Sequence, residues 1–414
     1  MKKVVLTLLL VIGSLIATAQ VDTVGYSRFR FGGYGEMLGQ FMDYGNNRFA
    51  GTSDGSPRGY RAAVSIPRFV LAFDYKFNSK WILGAEIEFE AGGVGSAVEL
   101  ESSENGEYET EIEKGGEVAL EQLHITRLIT RGINIRVGHL IVPVGLTNAH
   151  HEPINFFGPT RPQAETSLLP STWHETGLEL FGSFGRGFDW RAMIVAGLNA
   201  NGFDKNEWII GGTPGYFEVD NFTSPGYVGR IDYSGVKGLR TGVSAYYCHD
   251  TGRNADKDHF YSAVGRIPVW IATWDAQYRS KWITARANIT YGGVGNSAKL
   301  SDANRMLSNK SPYSRLVPIA KNAFGAGVEA GVNIKKFTPF ARYEYYNPQF
   351  RGEKGQTMDF RLEVSQWQVG LDWFALPNLV VKGAWVSRQI GGGKYNSENE
   401  FQIGVAYIGW FVRK

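Results

Sequence analysis

Two stretches of this 414-residue chain gather side chains from which chemistry is often built. His150-His151-Glu152, followed by His174-Glu175, offers imidazole and carboxylate donors of the kind that hold metal ions. The spacing argues against it. No HExxH pair is present, and neighbouring histidines on an extended chain point to opposite sides. Asp250, Asn254, Asp256 and Asp258 have a calcium-like rhythm but lack the glycine and closing glutamate of an EF-hand loop. Structural hydrogen bonding is the better reading of both, and no metal site is expected. The acid-rich stretch from Glu99 to Glu117 reads as a solvated loop, with divalent-bridged lipopolysaccharide as the alternative. No GxSxG elbow, ordered serine-histidine-acid set or phosphate-cradling glycine loop occurs, so neither catalytic residues nor a cofactor are expected.

A second set of charges is spaced differently. Arg68, Lys76, Glu86, Glu88, Arg136, Arg191, Arg230, Arg240, Arg286 and Arg342 fall at alternate positions between apolar residues. Such charges share one face of extended segments. Mixed signs around a wet passage select solutes by charge and size; alternatively they only solvate and brace the wall. Lys382 and the acids Glu36, Asp74, Asp232, Asp275, Glu329, Glu344 and Asp372 share that face, and the resulting balance of sign argues against strong anion selectivity. The near-neutral formal charge gives no sign of a nucleic-acid partner.

The elements that position these charges alternate with period two. Phe69, Leu71, Phe73, Tyr75 and Phe77 share one face, with Arg68, Ala72, Asp74 and Lys76 on the other. Trp270, Ala272, Trp274, Ala276 and Tyr278 alternate with Thr273, Asp275 and Gln277 in the same way. About sixteen such segments run from 29–41 to 401–411, each near the length a tilted strand needs to cross a bilayer. Their connections alternate short and long. Short ones fall at Asn78-Ser79, Thr130 to Gly132, Ser183 to Gly187, Ser234 to Gly238, Arg279-Ser280, Lys335-Lys336 and Ala375 to Asn378. A sandwich has no reason to keep that rhythm, whereas an outer-membrane barrel has short periplasmic turns and long outer loops. The 52 glycines and 56 aromatic residues suit such a wall.

Lys2-Lys3, the apolar run to Ala17 and the Ala17-Thr18-Ala19 site read as a cleaved signal peptide over 1–19. Its loss lowers the formal charge from +3 to +1. The expected fold is all-β: a transmembrane antiparallel up-and-down barrel over 20–414, both termini periplasmic, in the outer membrane of a Gram-negative bacterium. Lipid and lipopolysaccharide surround it. Sixteen strands are too many for side chains to fill the bore, so a water-filled channel for small solutes or ions is expected. The alternative is a receptor or adhesin barrel using its long loops.

The run Arg136-Val137-Gly138-His139 through Pro143-Val144-Gly145 resembles the phosphate-selective porin O and P family. Asn148 to Pro153, Arg161-Pro162 and Pro170 to Gly177 carry the same resemblance. It implies a sixteen-stranded porin, often a homotrimer, whose third long loop folds inward. The Pro-rich and Phe-rich segment from Val142 to Ser171 would then narrow the bore, with His150, Arg161 and Glu165 at the constriction. Phosphate-selective members use lysine clusters and an arginine ladder; this chain mixes signs, so architecture is carried over and phosphate selectivity is not.

Overall fold

The structure, a computed structural model, describes residues 28–46, 58–91, 98–102, 108–112, 118–213, 220–255, 258–307, 316–394 and 397–413. The signal-peptide reading of 1–19 lies outside them. Eighteen strands are present among the described residues. The first six are β1 (Phe29–Asn46), β2 (Arg58–Lys76), β3 (Trp81–Glu90), β4 (Val98–Ser102), β5 (Tyr108–Ile112) and β6 (Val118–Leu128). Next come β7 (Asn134–Ile141), β8 (His174–Phe184), β9 (Phe188–Val195), β10 (Gly226–Tyr233), β11 (Leu239–Cys248) and β12 (Val269–Arg279). The last are β13 (Ile283–Val294), β14 (Asn322–Val332), β15 (Phe337–Arg351), β16 (Val364–Leu376), β17 (Leu379–Ile390) and β18 (Ser397–Arg413).

Sixteen of these form one closed antiparallel barrel, and β4 pairs only with β5 as a hairpin in the connection between β3 and β6. Closure comes from β1, which pairs with β2 on one side and β18 on the other. Among the described residues no helix is long and apolar enough to cross a membrane. Among the described residues three short α-helices sit in connections: α1 (Leu146–Ala149), α2 (Gln163–Thr166) and α3 (Ser297–Arg305).

Turn chemistry sets the register at the short-connection rim. The Asn78 side chain accepts the backbone N–H of Lys80 at 2.9 Å and of Trp81 at 3.1 Å, closing the turn between β2 and β3. Thr130 Oγ1 does the same for Gly132 and Ile133, and Ser280 Oγ for Trp282 and Ile283. Gly238 closes another turn at φ +82°, where a Cβ would lie 2.3 Å from the Arg279 carbonyl oxygen.

The register puts the two faces where the alternation requires. Along β12, Trp270 and Trp274 are exposed on the outside while Ile271, Thr273 and Asp275 are buried inside. Along β16, Trp367, Val369, Leu371 and Trp373 point outward. This is the apolar belt of a lipid-facing barrel, and a lysine at Val369 would cost about 2–4 kcal/mol near mid-membrane.

The interior departs from the expectation of a uniformly wet face. At the long-loop end of β9 to β13 the inward residues are apolar, including Val195, Val228, Tyr246, Val269 and Ile271. Connections fold back over them: Val142, Leu168, Leu169 and Trp173 from one, Phe203, Trp208 and Ile209 from another, Ile267 and Leu300 from two more. Trp173 packs on Tyr246 with ring centroids 4.8 Å apart. Apolar wall residues meet apolar loop residues and water is excluded from that part of the bore.

Candidate functional site

The segment 142–173, between β7 and β8, lies against the charged inner wall. Its neck is closed by the Val142 amide donating to the Trp173 carbonyl at 2.9 Å. Asn148 ties the same neck, its Oδ1 accepting the Trp173 amide at 2.6 Å and its side-chain N–H reaching the Val142 carbonyl. Glu165, 1 % exposed, accepts the amides of Leu146 at 3.0 Å and Asn148 at 2.9 Å, fastening α2 to the start of α1. Burial raises the Glu165 carboxyl above its ordinary range, and the backbone amides of Asn148 and Thr147 oppose that shift. Gly145 permits the approach: at φ +88°, any Cβ would sit 2.3 Å from a Glu165 oxygen.

The wall then grips the backbone of the segment. Arg230 donates to the Gly145 carbonyl at 3.1 Å while bridging Asp232 and Asp275 at 2.8–2.9 Å. Arg286 holds the Asn155 carbonyl at 2.8 Å and Glu329 at 3.0 Å. Arg342 holds the Phe157 carbonyl at 2.5 Å, Glu329 at 2.7 Å and Gln368 at 2.7 Å. Lys382 donates to the carbonyls of Phe156 at 2.7 Å, Gly158 at 2.9 Å and Pro153. Acidic wall groups take the amides: Glu344 accepts from Ala164 at 2.9 Å, Asp372 from Gly158 at 3.2 Å. Thr160 reaches Gln402 at 3.1 Å on β18. The backbone polar groups of a mostly irregular segment, with only the single turns α1 and α2, are thereby satisfied inside the barrel.

The residues expected at a constriction do not share one set of partners. Glu165 braces α1. Arg161 donates to Ser171 Oγ at 3.0 Å and Thr172 Oγ1 at 3.4 Å. His150 accepts from Arg240. Burial, reinforced by the Arg240 guanidinium, pushes the His150 imidazole down to about 3, so it is neutral at physiological pH. Of the wall residues read from the sequence, Arg230, Arg286 and Arg342 face inward but are covered by the segment. Arg68 pairs with Glu36 at 2.9 Å and Glu88 at 3.7 Å.

Charge stays open to water nearer the short-turn rim. Arg136, beside Glu179 at 2.7 Å, keeps a quarter of its side chain exposed, and Arg191 keeps 40 %. Arg240 keeps 31 %, and Arg30 and Asp74 somewhat less. The carboxylates behind them, Glu179 and Asp232, are buried. Lys76 faces the same side.

Glu121 escaped the sequence pattern. Strict alternation along β6 puts it with Leu123 and Ile125 on the lipid side. A bulge intervenes: Glu86 pairs with Gln122 but Ile87 with Leu120, leaving Glu121 as the extra residue. Its side chain is fully buried inside and accepts from the Tyr34 hydroxyl at 3.3 Å. A glutamate amid lipid-facing positions is the one signal that could have shown the bulge. The other candidate donors are structural: His174 meets His139 at 2.5 Å, Glu175 accepts from Trp173 Nε1, and Asp250 and Asn254 tie backbone groups.

No family model matches this sequence. An uncharacterized protein of Aquifex aeolicus (strain VF5) is 24 % identical over 399 residues, 92 % of this chain and 79 % of that one. Among solved structures, OmpF of Salmonella typhi in complex with daunomycin matches with a TM-score of 0.55 at 11 % identity, over 92 % of this chain and 98 % of that one. The anion-selective porin from Comamonas acidovorans matches at 0.52 and 9 % identity, over 92 % and 100 %. The outer membrane channel DcaP of Acinetobacter baumannii also matches at 0.52, with 11 % identity, over 94 % and 100 %. At these identities the likeness is one of fold, and the chain has the closed sixteen-stranded barrel of the porin type.

Proposed function

We propose that this chain is an outer-membrane channel for passive diffusion of small hydrophilic solutes and ions, narrowed by the segment 142–173. The observation that carries the reading is a closed sixteen-stranded barrel, apolar outside and charged inside, with that segment hydrogen-bonded to the inner wall. Short turns and both termini face the periplasm, and lipopolysaccharide-bearing lipid surrounds the belt. His150, Arg161 and Glu165 act by holding the narrowing segment in shape, with His150 and Arg240 nearest the wet side.

A receptor or adhesin barrel is the second reading, favoured by the low exposure of Glu36, Glu88 and Gln402 on the inner wall. Liposome swelling separates the two: a channel admits small sugars at rates that fall with sugar size, and a receptor barrel admits none. The partly exposed cations Arg136, Arg191 and Arg240, against buried carboxylates, give a modest anion preference. In asymmetric salt the reversal potential should favour anions, and Arg191→Glu should move it toward cations; an unmoved potential would show that ions do not pass this rim.

A further inference from the structure

Next to the segment 142–173, on the β1–β6 side of the barrel, the inner wall carries four glutamates and one arginine. Glu36 and Glu88 flank Arg68; Glu86 and Glu121 have no cation at salt-bridge distance among the described residues. Into this group comes His151, 6 % exposed. Its Nδ1 faces the Asn148 carbonyl at 3.2 Å and must donate to it, which leaves the lone pair on Nε2. That Nε2 is buried and has no hydrogen-bond partner, and neither has Glu121 Oε1. Donor atoms of His151, Glu86 and Glu121 all lie within 4.8 Å of one another.

We propose that Glu86, Glu121 and His151 form a divalent-cation site that fastens the segment 142–173 to the barrel wall. Three separate elements supply the ligands: β3, the bulge of β6 and the segment itself. A tetrahedral ion with bonds of about 2.0–2.2 Å holds its donors roughly 3.3–3.6 Å apart, so small side-chain adjustments close the cage. One imidazole and two carboxylates suit Zn²⁺ or a neighbouring transition ion; calcium and magnesium prefer all-oxygen cages. The outer partners fit as well. The Asn148 carbonyl orients the imidazole, the Tyr34 hydroxyl and Gln122 amide hold the carboxylates, and the Tyr34 ring packs beside His151 with centroids 5.8 Å apart. The ion also supplies the positive charge that half-buried Glu86 and fully buried Glu121 otherwise lack.

The test is binding, independent of conduction. Full-length folded protein without a histidine tag, stripped with chelator and held in detergent, is titrated with ZnCl₂ by calorimetry. The expected result is one Zn²⁺ per chain, with affinity lowered tenfold or more in His151→Ala and in Glu121→Gln. Zn²⁺ should also slow protease cleavage within 142–173 in the wild type and leave both variants unchanged. Heat-modifiable migration on gels identifies folded variants; should His151→Ala not fold, His151→Gln replaces it. Absence of stoichiometric uptake overturns the proposal, as does uptake that the variants do not weaken.

Discussion

Excising residues 146–170 and bridging Gly145 to Ser171 should raise single-channel conductance several-fold. The neck of the segment is a β-like pair, Val142 against Trp173, so the ends are already adjacent and the bridge strains neither β7 nor β8. The removed residues are bonded to inner-wall residues from β11 to β18. With it gone, Arg286, Arg342, Lys382, Glu329, Glu344 and Asp372 become the hydrated lining of a wider bore. Some stability is lost, because Leu168 and Leu169 leave the apolar cluster. The barrel ladders do not depend on them. Conductance equal to the wild type, in a barrel that still migrates as folded, would mean that the segment does not narrow the path.

The second large effect is on stability. Arg230 is 2 % exposed and makes two hydrogen bonds to Asp232 and two to Asp275, all 2.8–2.9 Å. It adds a bond to the Gly145 carbonyl. Arg230→Ala strands the buried Asp275 carboxylate, leaves Asp232 with Arg240 alone at 3.3 Å and frees that carbonyl, a loss of about 3–5 kcal/mol. Replacing all three charges, with Arg230→Met, Asp232→Asn and Asp275→Asn, should recover most of the loss, since no charge is then left buried alone. An exposed pair serves as control: Arg305 and Asp302, 2.9 Å apart with side chains 57 % and 74 % exposed, should matter by only about 0–1 kcal/mol when broken. Urea unfolding followed by tryptophan fluorescence reads all three. A triple variant no more stable than Arg230→Ala would show that the arginine works through its loop contact and not through charge pairing.

How far the sequence shows this molecule depends on the range of the forces involved. Strands and short turns are local. Period two marks the wall, and Asn78, Thr130 and Ser280 capture nearby amides wherever the chain ends up. Most of those elements match the structure to within a few residues, but β2 begins at Arg58 where the alternation marks a strand only from Phe69. The destination of the segment 142–173 is a non-local fact. Its amides and carbonyls are satisfied by Arg342 and Lys382, some two hundred residues away, and no local pattern encodes that. The apolar patch inside β9 to β13 was hidden for the same reason: Ile271 reads as an irregularity of the wet face until Trp173 and Ile267 are seen covering it. Glu121 shows the third kind of failure. One extra residue in β6 reverses its face, and a rule based on parity cannot survive a bulge. In the sequence His151 stands beside His150 and Glu152, whereas the groups it meets, Glu86 and Glu121, come from β3 and β6.

The central claim is that water and ions cross this barrel. Purified wild-type protein added to a planar bilayer should give discrete upward current steps in simple salt, each a single insertion. Folded protein that inserts, as judged by protection from added protease, yet leaves the current flat across the voltage range would contradict it and leave a sealed barrel.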